Sequence, residues 1–361
     1  MKILIALAAV AALSTIALAS SNSTPTQRDL QVPHYDHIFV IVEENKDRIQ
    51  IVGDTQDAPT INRLAHTYGI SDHYYAVTHP SEPNYVAIVG GYTYGIRDDD
   101  AFYCAPNDDR PSCRNSHLPG YPAHTIDAPN LSTQLEAAHL TWKNYNESLP
   151  TPGSLAVTAP DTSAAGAPGG IAVYASKHSG FINFHNVQTD PKRAEHLVAF
   201  DQLAADLKSG DIPNFSFIIP NLCNDMHGAG APGTPDDCES RNLPALIQRG
   251  DRNLNRIVTQ IMNSSAWSAS SNTAIVITFD EDGSHGTDGC CGTNTSDVAN
   301  TGGGRIATIV MTNHGPRGVV DSTPYSHYSL LRTIEDAFGI HEYLRQAADP
   351  SVQAMLPLFA R

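Results

Sequence analysis

The sequence predicts a doubly wound α/β domain with a mostly parallel sheet and helices on both faces. Two patterns carry that prediction. The runs at 37–42 (HIFVIV), 215–219 (FSFII), 274–279 (AIVITF) and 306–311 (IATIVM) are nearly all apolar and rich in β-branched residues, as expected for strands covered on both sides. Between them lie segments of helical periodicity, and strands alternating with amphipathic helices imply a layered α/β domain.

Taken in order, the first strand leads into Glu43, Glu44 and Asn45. Residues 58–68 place Ile61, Leu64 and Ala65 on one helical face. An amphipathic stretch at 85–89 follows Ser81 and ends at Gly90 and Gly91. The second strand run leads into 221–227, and a helix over 243–262 carries Leu246, Ile247, Leu254, Ile257, Val258 and Ile261 on one face. The third leads into Asp280, Glu281 and Asp282; the fourth follows Gly302, Gly303 and Gly304; and 328–338 repeats the helical pattern with Leu330, Leu331, Ile334 and Phe338. Residues 95–125 and 150–172, rich in Pro, Gly, Asp and Ala, read as loop insertions on a single domain spanning 30–361.

Residues 1–19 have the grammar of a secretory signal peptide: Lys2, a short uncharged apolar run, then Ala17, Leu18 and Ala19. The mature chain is expected outside the cytoplasm, secreted or periplasmic, with no integral membrane segment after cleavage. In that setting the 6 cysteines predict disulfides. Proximity suggests Cys104 with Cys113, Cys223 with Cys238, and Cys290 with Cys291, although sequence alone leaves other pairings open. Asn22, Asn130, Asn146, Asn214, Asn263 and Asn294 stand in glycosylation sequons. The net charge of −16, from 22 basic and 38 acidic residues, repels nucleic acid, so none is expected as a partner. A phosphate-bearing substrate has to be recruited locally, and a metal ion in an acidic cleft is one means.

In doubly wound folds, ligands bind beyond the carboxyl ends of the strands. Glu44 with Asn45 and Asp280 with Glu281 supply oxygen donors at two such ends, suited to a hard divalent cation. Either pair alone reads equally well as a solvated acidic loop. Ser81, within THPSEPNYVAIVGG, stands at a helix start, where the dipole favours an incoming phosphate. A plain N-cap is the competing reading of that serine. Among 16 histidines, His79, His227 and His327 lie nearest these segments, and any one alone reads as a structural loop histidine.

The pieces HIFVIVEEN, HPSEPNYVAIVGG, FIIPNLCNDMHG, GDRNLNRIV, VITFDEDG, GGGRIATIVMTNHG and YSHYSLLRTIEDAFG occur in an order that resembles the phosphoesterase family of acid phosphatases and phosphatidylcholine-type phospholipases C. The resemblance runs from about residue 35 to 340 and implies an alkaline phosphatase-like fold. It implies that Glu44, Asn45, Asp280 and Glu281 bind a divalent metal (Mg, Ca, Mn or Zn), that Ser81 is the nucleophile, and that His227 and His327 contact phosphate or protonate the leaving group. Asn221 and Asp225 are expected to support them, and His79, Lys177 and His178 are further candidates for substrate contact. Arg305 ranks lower. DEDGSHG lacks a histidine directly after its first Asp, which favours one metal over two.

The expected activity is an acid phosphatase hydrolysing phosphomonoesters through a phosphoseryl intermediate, with activity falling above about pH 7 if protonated imidazoles hold the phosphate. A phospholipase C-type phosphodiesterase acting on a phospholipid headgroup is the alternative. A secreted binding protein that has lost catalysis is a distant third. Sulfatase and serine esterase readings fit poorly, because the residues around Ser81 and the DGSHG segment lack the spacings those enzymes need.

Overall fold

In the computed structural model, which describes residues 31–160, 171–294 and 296–360, the apolar runs form the middle of one large sheet. The strands, in chain order, are β1 (His37–Glu43), β2 (Gly69–Tyr75), β3 (Trp142–Asn146), β4 (Thr158–Pro160), β5 (Ala172–Ala175), β6 (Leu197–Val198), β7 (Phe215–Ile219), β8 (Thr273–Phe279), β9 (Arg305–Thr312), β10 (Val319–Asp321) and β11 (Tyr325–Ser326). The sheet runs β10-β2-β9-β8-β1-β7-β3-β6, with β11 also on β2, while β4 and β5 form a separate antiparallel pair. β1 lies between β7 and β8 and is parallel to both. Every residue of β7 and β8 is buried, so both faces of the sheet centre are covered. Each fully buried Val or Ile there contributes about 1.5–3 kcal/mol of transfer free energy, set against the chain entropy lost on ordering.

β9 runs antiparallel to both β8 and β2. Its beginning, not its end, therefore lies where the parallel strands finish. That explains the three glycines ahead of it. A Cβ on Gly303 would stand 2.3 Å from the Thr78 carbonyl, and one on Gly304 1.9 Å from Asp282 Oδ2. Arg305 turns to the Asp72 carboxylate, at 3.1 Å, and takes no part in the acidic cluster described below.

The helix predicted over 243–262 is Leu243–Met262, and those predicted over 58–68 and 328–338 are Pro59–Thr67 and His327–Ala337. The stretch at 85–89 belongs to a longer helix, Ser81–Gly90. All of its residues are buried, so it is a central helix without a solvent face and the amphipathic reading is corrected. It packs against the His327–Ala337 helix.

From Gln31 onward the chain forms one compact unit. Three disulfides join Cys104 to Cys113, Cys223 to Cys238 and Cys290 to Cys291. The first lies in the 95–125 insertion and the second within the loop after β7. Residues 1–19 and Asn22 lie outside the described residues. Asn130 and Asn146 are buried, which removes them as glycosylation acceptors in the folded chain. Among the described residues, no helix is long and apolar enough to cross a membrane.

Candidate active site

The loops after β1, β7 and β8 are stitched together by backbone bonds. Glu44 N–H donates to the Asp225 carbonyl at 2.7 Å, and Asp280 N–H donates to the Glu43 carbonyl at 3.0 Å. Lys46, which sequence reading passed over, is buried beneath them and donates from Nζ to the Met226 carbonyl at 2.8 Å and the Asn45 carbonyl at 3.0 Å. Strand alternation then separates neighbours. Glu43 keeps both carboxyl oxygens buried without a hydrogen-bond partner among the described residues, and burial together with the Asp225 charge pushes its pKa well up. Glu44 instead meets Ser81.

Glu44 joins two halves of the site. Its Oε2 accepts from Ser81 Oγ at 3.1 Å and from Asn45 Nδ2 at 2.5 Å. Its Oε1 accepts from the Tyr85 hydroxyl at 2.5 Å and lies 3.3 Å from His178 Nε2. On the first side, Ser81 Oγ is also 3.5 Å from Glu281 Oε1, and Asn45 N–H donates to Asp280 Oδ1 at 3.0 Å. On the second, donor atoms of Glu44, His178 and His227 lie within 4.8 Å of one another. His178 stacks on Tyr85 at 5.2 Å and has Asp225 Oδ2 3.5 Å from Nδ1. The expected residues Glu44, Asn45, Ser81, Asp280 and Glu281 thus come together, joined by Asp225, His178 and His227.

Ser81 is the first residue of its helix rather than the cap. Pro80 holds the N-cap position and has no side-chain group to cap the helix, and the Glu82 amide of the first turn donates to Asp99 Oδ1 at 3.1 Å. The serine hydroxyl is therefore left to the carboxylates, at a helix terminus worth roughly +0.5 charge.

The four carboxyl groups gathered here all have raised pKa values. Burial is the largest cause for each. Asp280 is pushed up to about 6 and Glu281 to about 8, the latter also by the Asp280 charge. Glu44 and Asp225 rise well above the carboxylate range, both again with the Asp280 charge adding to the effect. Ionising such a set in a dry interior costs several kcal/mol per group unless a cation compensates. Asp280 Oδ2 is buried without a hydrogen-bond partner among the described residues. Carboxylate and amide oxygens with an orphaned acceptor fit a hard divalent ion. Glu44, Asn45, Asp280 and Glu281 can hold one beside Ser81, and His178 and His227 flank Glu44 on its other side. The Cys104, Asp108 and Cys113 cluster cannot, since both sulfurs are in a disulfide.

The remaining candidates divide by how their polar atoms are used. Lys177 Nζ pairs with Asp99 Oδ2 at 2.8 Å, and its charge favours the ionised forms of Glu44, Asp225 and Asp280. His227 Nδ1–H donates to the Gly228 carbonyl at 2.7 Å, and its backbone N–H to Asp225 Oδ1 at 2.7 Å. Burial first and Lys177 second bring its pKa down to about 4, and the same two causes put His178 well below the usual imidazole value. Both shifts favour the neutral imidazole, which for His227 runs against the expectation that a protonated histidine holds the phosphate near pH 7.

His79 is taken up by Glu281. Nε2–H donates to the Gly286 carbonyl at 3.0 Å, and Nδ1 meets Glu281 Oε2 at 2.8 Å with one proton between them. Burial opposes its charge, but the Glu281 contact outweighs that and raises its pKa. His327 is fully buried: Nε2–H donates to the Asp280 carbonyl at 2.7 Å, and Nδ1 accepts from the Tyr74 hydroxyl at 3.3 Å. With no ring nitrogen left for substrate, it props the Asp280 backbone; the expectation of phosphate contact is corrected. Asn221 likewise spends its side chain on Ser148 Oγ, at 3.0 Å, and the Cys223 amide, at 3.1 Å.

A family model described as the phosphoesterase family matches residues 54–341. The chain belongs to that family. As a phosphoesterase it is a hydrolase acting on phosphoric ester bonds. The match takes in Ser81, Lys177, His178, Asp225, His227, Asp280 and Glu281; Glu44 and Asn45 precede it and enter the site through geometry. Among phosphoesterase relatives, the chain is 29% identical to a phosphatidylinositol-3-phosphatase of Mycobacterium tuberculosis, over 93% of this chain and 88% of that one. It is 25% identical to an acid phosphatase of Aspergillus fumigatus, over 74% of this chain but only 48% of the relative. Solved structures share the fold. An alkaline phosphatase superfamily protein from Vibrio parahaemolyticus matches at TM-score 0.51 and 12% identity, over 88% of this chain and 71% of that one. The sulfatase PsFucS1 of Pseudoalteromonas matches at TM-score 0.50 and 11% identity, over 91% and 72%.

Proposed function

We propose that this phosphoesterase is an exported, metal-dependent acid phosphatase that hydrolyses phosphomonoesters through a phosphoseryl intermediate at Ser81. The observation that carries the reading is the Ser81 hydroxyl itself, freed from capping and set 3.1 Å from Glu44 and 3.5 Å from Glu281 at a helix N-terminus. A divalent cation held by Glu44, Asn45, Asp280 and Glu281 would supply positive charge to the nucleophile and the phosphoryl oxygens. Export is supported by the leader-like 1–19 segment and three disulfides.

Ser81 Oγ attacks phosphorus, and its proton has Glu44 Oε2 as acceptor. The Tyr85 hydroxyl, donating to Oε1, holds that carboxylate in place. Lys177 and the positive end of the Ser81–Gly90 helix favour the negative charge of the transferring group. Only the protonated form of His227, whose Nδ1–H is held by the Gly228 carbonyl, gives a proton from Nε2 to the departing alkoxide, which ties this step to acid pH, and water then cleaves the phosphoserine. His79, His327 and Asn221 act as positioning residues.

A monoester is favoured over a phospholipase C-type diester by the likeness to the phosphatidylinositol-3-phosphatase, which spans most of both chains. A phosphorylated inositol headgroup is therefore a second reading of the substrate. Turnover of p-nitrophenyl phosphate without turnover of p-nitrophenylphosphorylcholine supports the monoesterase; the reverse pattern rejects it.

A further inference from the structure

Beside the reaction centre lies a cavity of about 500 Å³, bordered by the 95–125 insertion, by β4 and by Lys177. Its volume is that of a small-molecule site. It is tied to the nucleophile through Asp99. That carboxylate holds Lys177 Nζ with Oδ2, at 2.8 Å, and accepts from the backbone N–H of Glu82, the residue after Ser81, with Oδ1, at 3.1 Å.

The acidic groups of the lining are accounted for within the protein. Asp99 has the partners just named, and Asp100 accepts from Asn115 N–H at 2.8 Å, Asn115 Nδ2 at 3.2 Å and the Tyr121 hydroxyl at 3.1 Å. Arg114 differs. It is exposed, lines the same cavity, and has neither a hydrogen bond nor an ion pair among the described residues. In a chain of net charge −16, an unpaired guanidinium in a cavity that also takes in Lys177 is a natural anion anchor. Its planar fork matches phosphate oxygens two at a time.

We propose that this cavity is a leaving-group subsite, in which Arg114 binds a second anionic group carried by the alcohol whose phosphate is removed at Ser81. The proposal rests on the phosphomonoesterase reading and adds a substrate class to it: phosphomonoesters of a polyol bearing another phosphate. A soluble sugar bisphosphate and a phosphoinositide headgroup with its diester phosphate share that chemistry.

The test compares the wild type with R114A and R114K on fructose 6-phosphate, fructose 1,6-bisphosphate and short-chain phosphatidylinositol 3-phosphate. R114A is expected to raise KM for at least one of the two second-anion substrates about tenfold more than for fructose 6-phosphate, with R114K recovering part of the loss. The substrate that responds identifies the source of the second anion. Equal effects on all three, with folding intact by thermal melting, overturn the subsite alone. If the wild type hydrolyses neither p-nitrophenyl phosphate nor any of the three, the phosphomonoesterase reading fails and the subsite falls with it.

Discussion

Glu44 Oε2 lies 3.1 Å from Ser81 Oγ across 37 positions of sequence, and that contact joins the end of β1 to the start of a buried helix. The helix would be an ordinary core element if its first hydroxyl capped it. Because Pro80 takes the cap position, Ser81 is left facing carboxylates whose ionised form burial makes costly. In the proposed mechanism, nucleophile and cation site are thus one construction.

Removing the cation should destabilise the protein in a pH-dependent way. Asp280 and Glu281 have folded pKa values of about 6 and about 8, above their unfolded values, so without a metal the folded state holds their protons. That stability is fully present below about pH 4 and is lost as pH rises through 6 to 8. Thermal melts with EDTA should show a larger drop in Tm at pH 8.5 than at pH 5, and activity should vanish with the metal. A drop that is the same at both values would argue against an ion among these carboxylates.

His227 should set the basic limb of the pH profile. Its pKa of about 4 in the free protein means the proton-donating form is lost as pH rises through that value, so kcat/KM should decline on the alkaline side. H227N should lower kcat by about 10²–10³-fold and remove that limb. An unchanged limb in H227N would assign the proton to another group.

His327 should act through the metal rather than through substrate. H327L leaves the Asp280 carbonyl and the Tyr74 hydroxyl without their partner, a loss of about 2–4 kcal/mol. Metal affinity, measured by calorimetry, should fall about 10–100-fold as Asp280 shifts. Lower stability with full metal affinity would make it a packing residue only.

Far from the site, Glu335 provides a separate check on the electrostatics. It is buried and accepts from Gln134 Nε2 and the Leu344 amide, both at 2.9 Å, while Oε2 has no hydrogen-bond partner among the described residues. Burial, then the Asp336 charge, brings its pKa up to about 8. The folded state keeps its proton, so wild-type stability falls as pH rises from about 4 through 8. E335Q, which has no proton to lose, should match the wild type near pH 4 and exceed it by about 1–3 kcal/mol at pH 9 in urea unfolding. Parallel pH dependence in both proteins would refute the assignment.

The central strands were legible because burial on both faces demands unbroken apolar runs, as in β1, β7 and β8. β2 and β3 were not. GISDHYY has a register shift between Ser71 and Tyr74, and WKNYN buries Asn144 against Ser179 Oγ and the Phe217 carbonyl, so neither shows the run or the alternation that marks a strand. The Ser81–Gly90 helix could not be recognised as central from periodicity, since a helix buried all round has no stripe. Strand ends made Glu44, Asn45, Asp280 and Glu281 readable. Lys46 and Asp99 were missed because their partners come from other parts of the chain: the Met226 carbonyl in the first case, Lys177 and the Glu82 amide in the second. His327 was misread for a related reason. Sequence places a histidine near a site but not which way its nitrogens are spent.

The most direct measurement is rapid acid quench of the enzyme during phosphomonoester turnover, followed by mass spectrometry of the peptide containing Ser81, in the wild type and in S81A. One phosphoryl group on that peptide, absent from S81A together with a fall in kcat of about 10³-fold or more, is the predicted result. Wild-type turnover by S81A, or a phosphoryl group found only on another residue, would contradict the assignment of Ser81 as nucleophile.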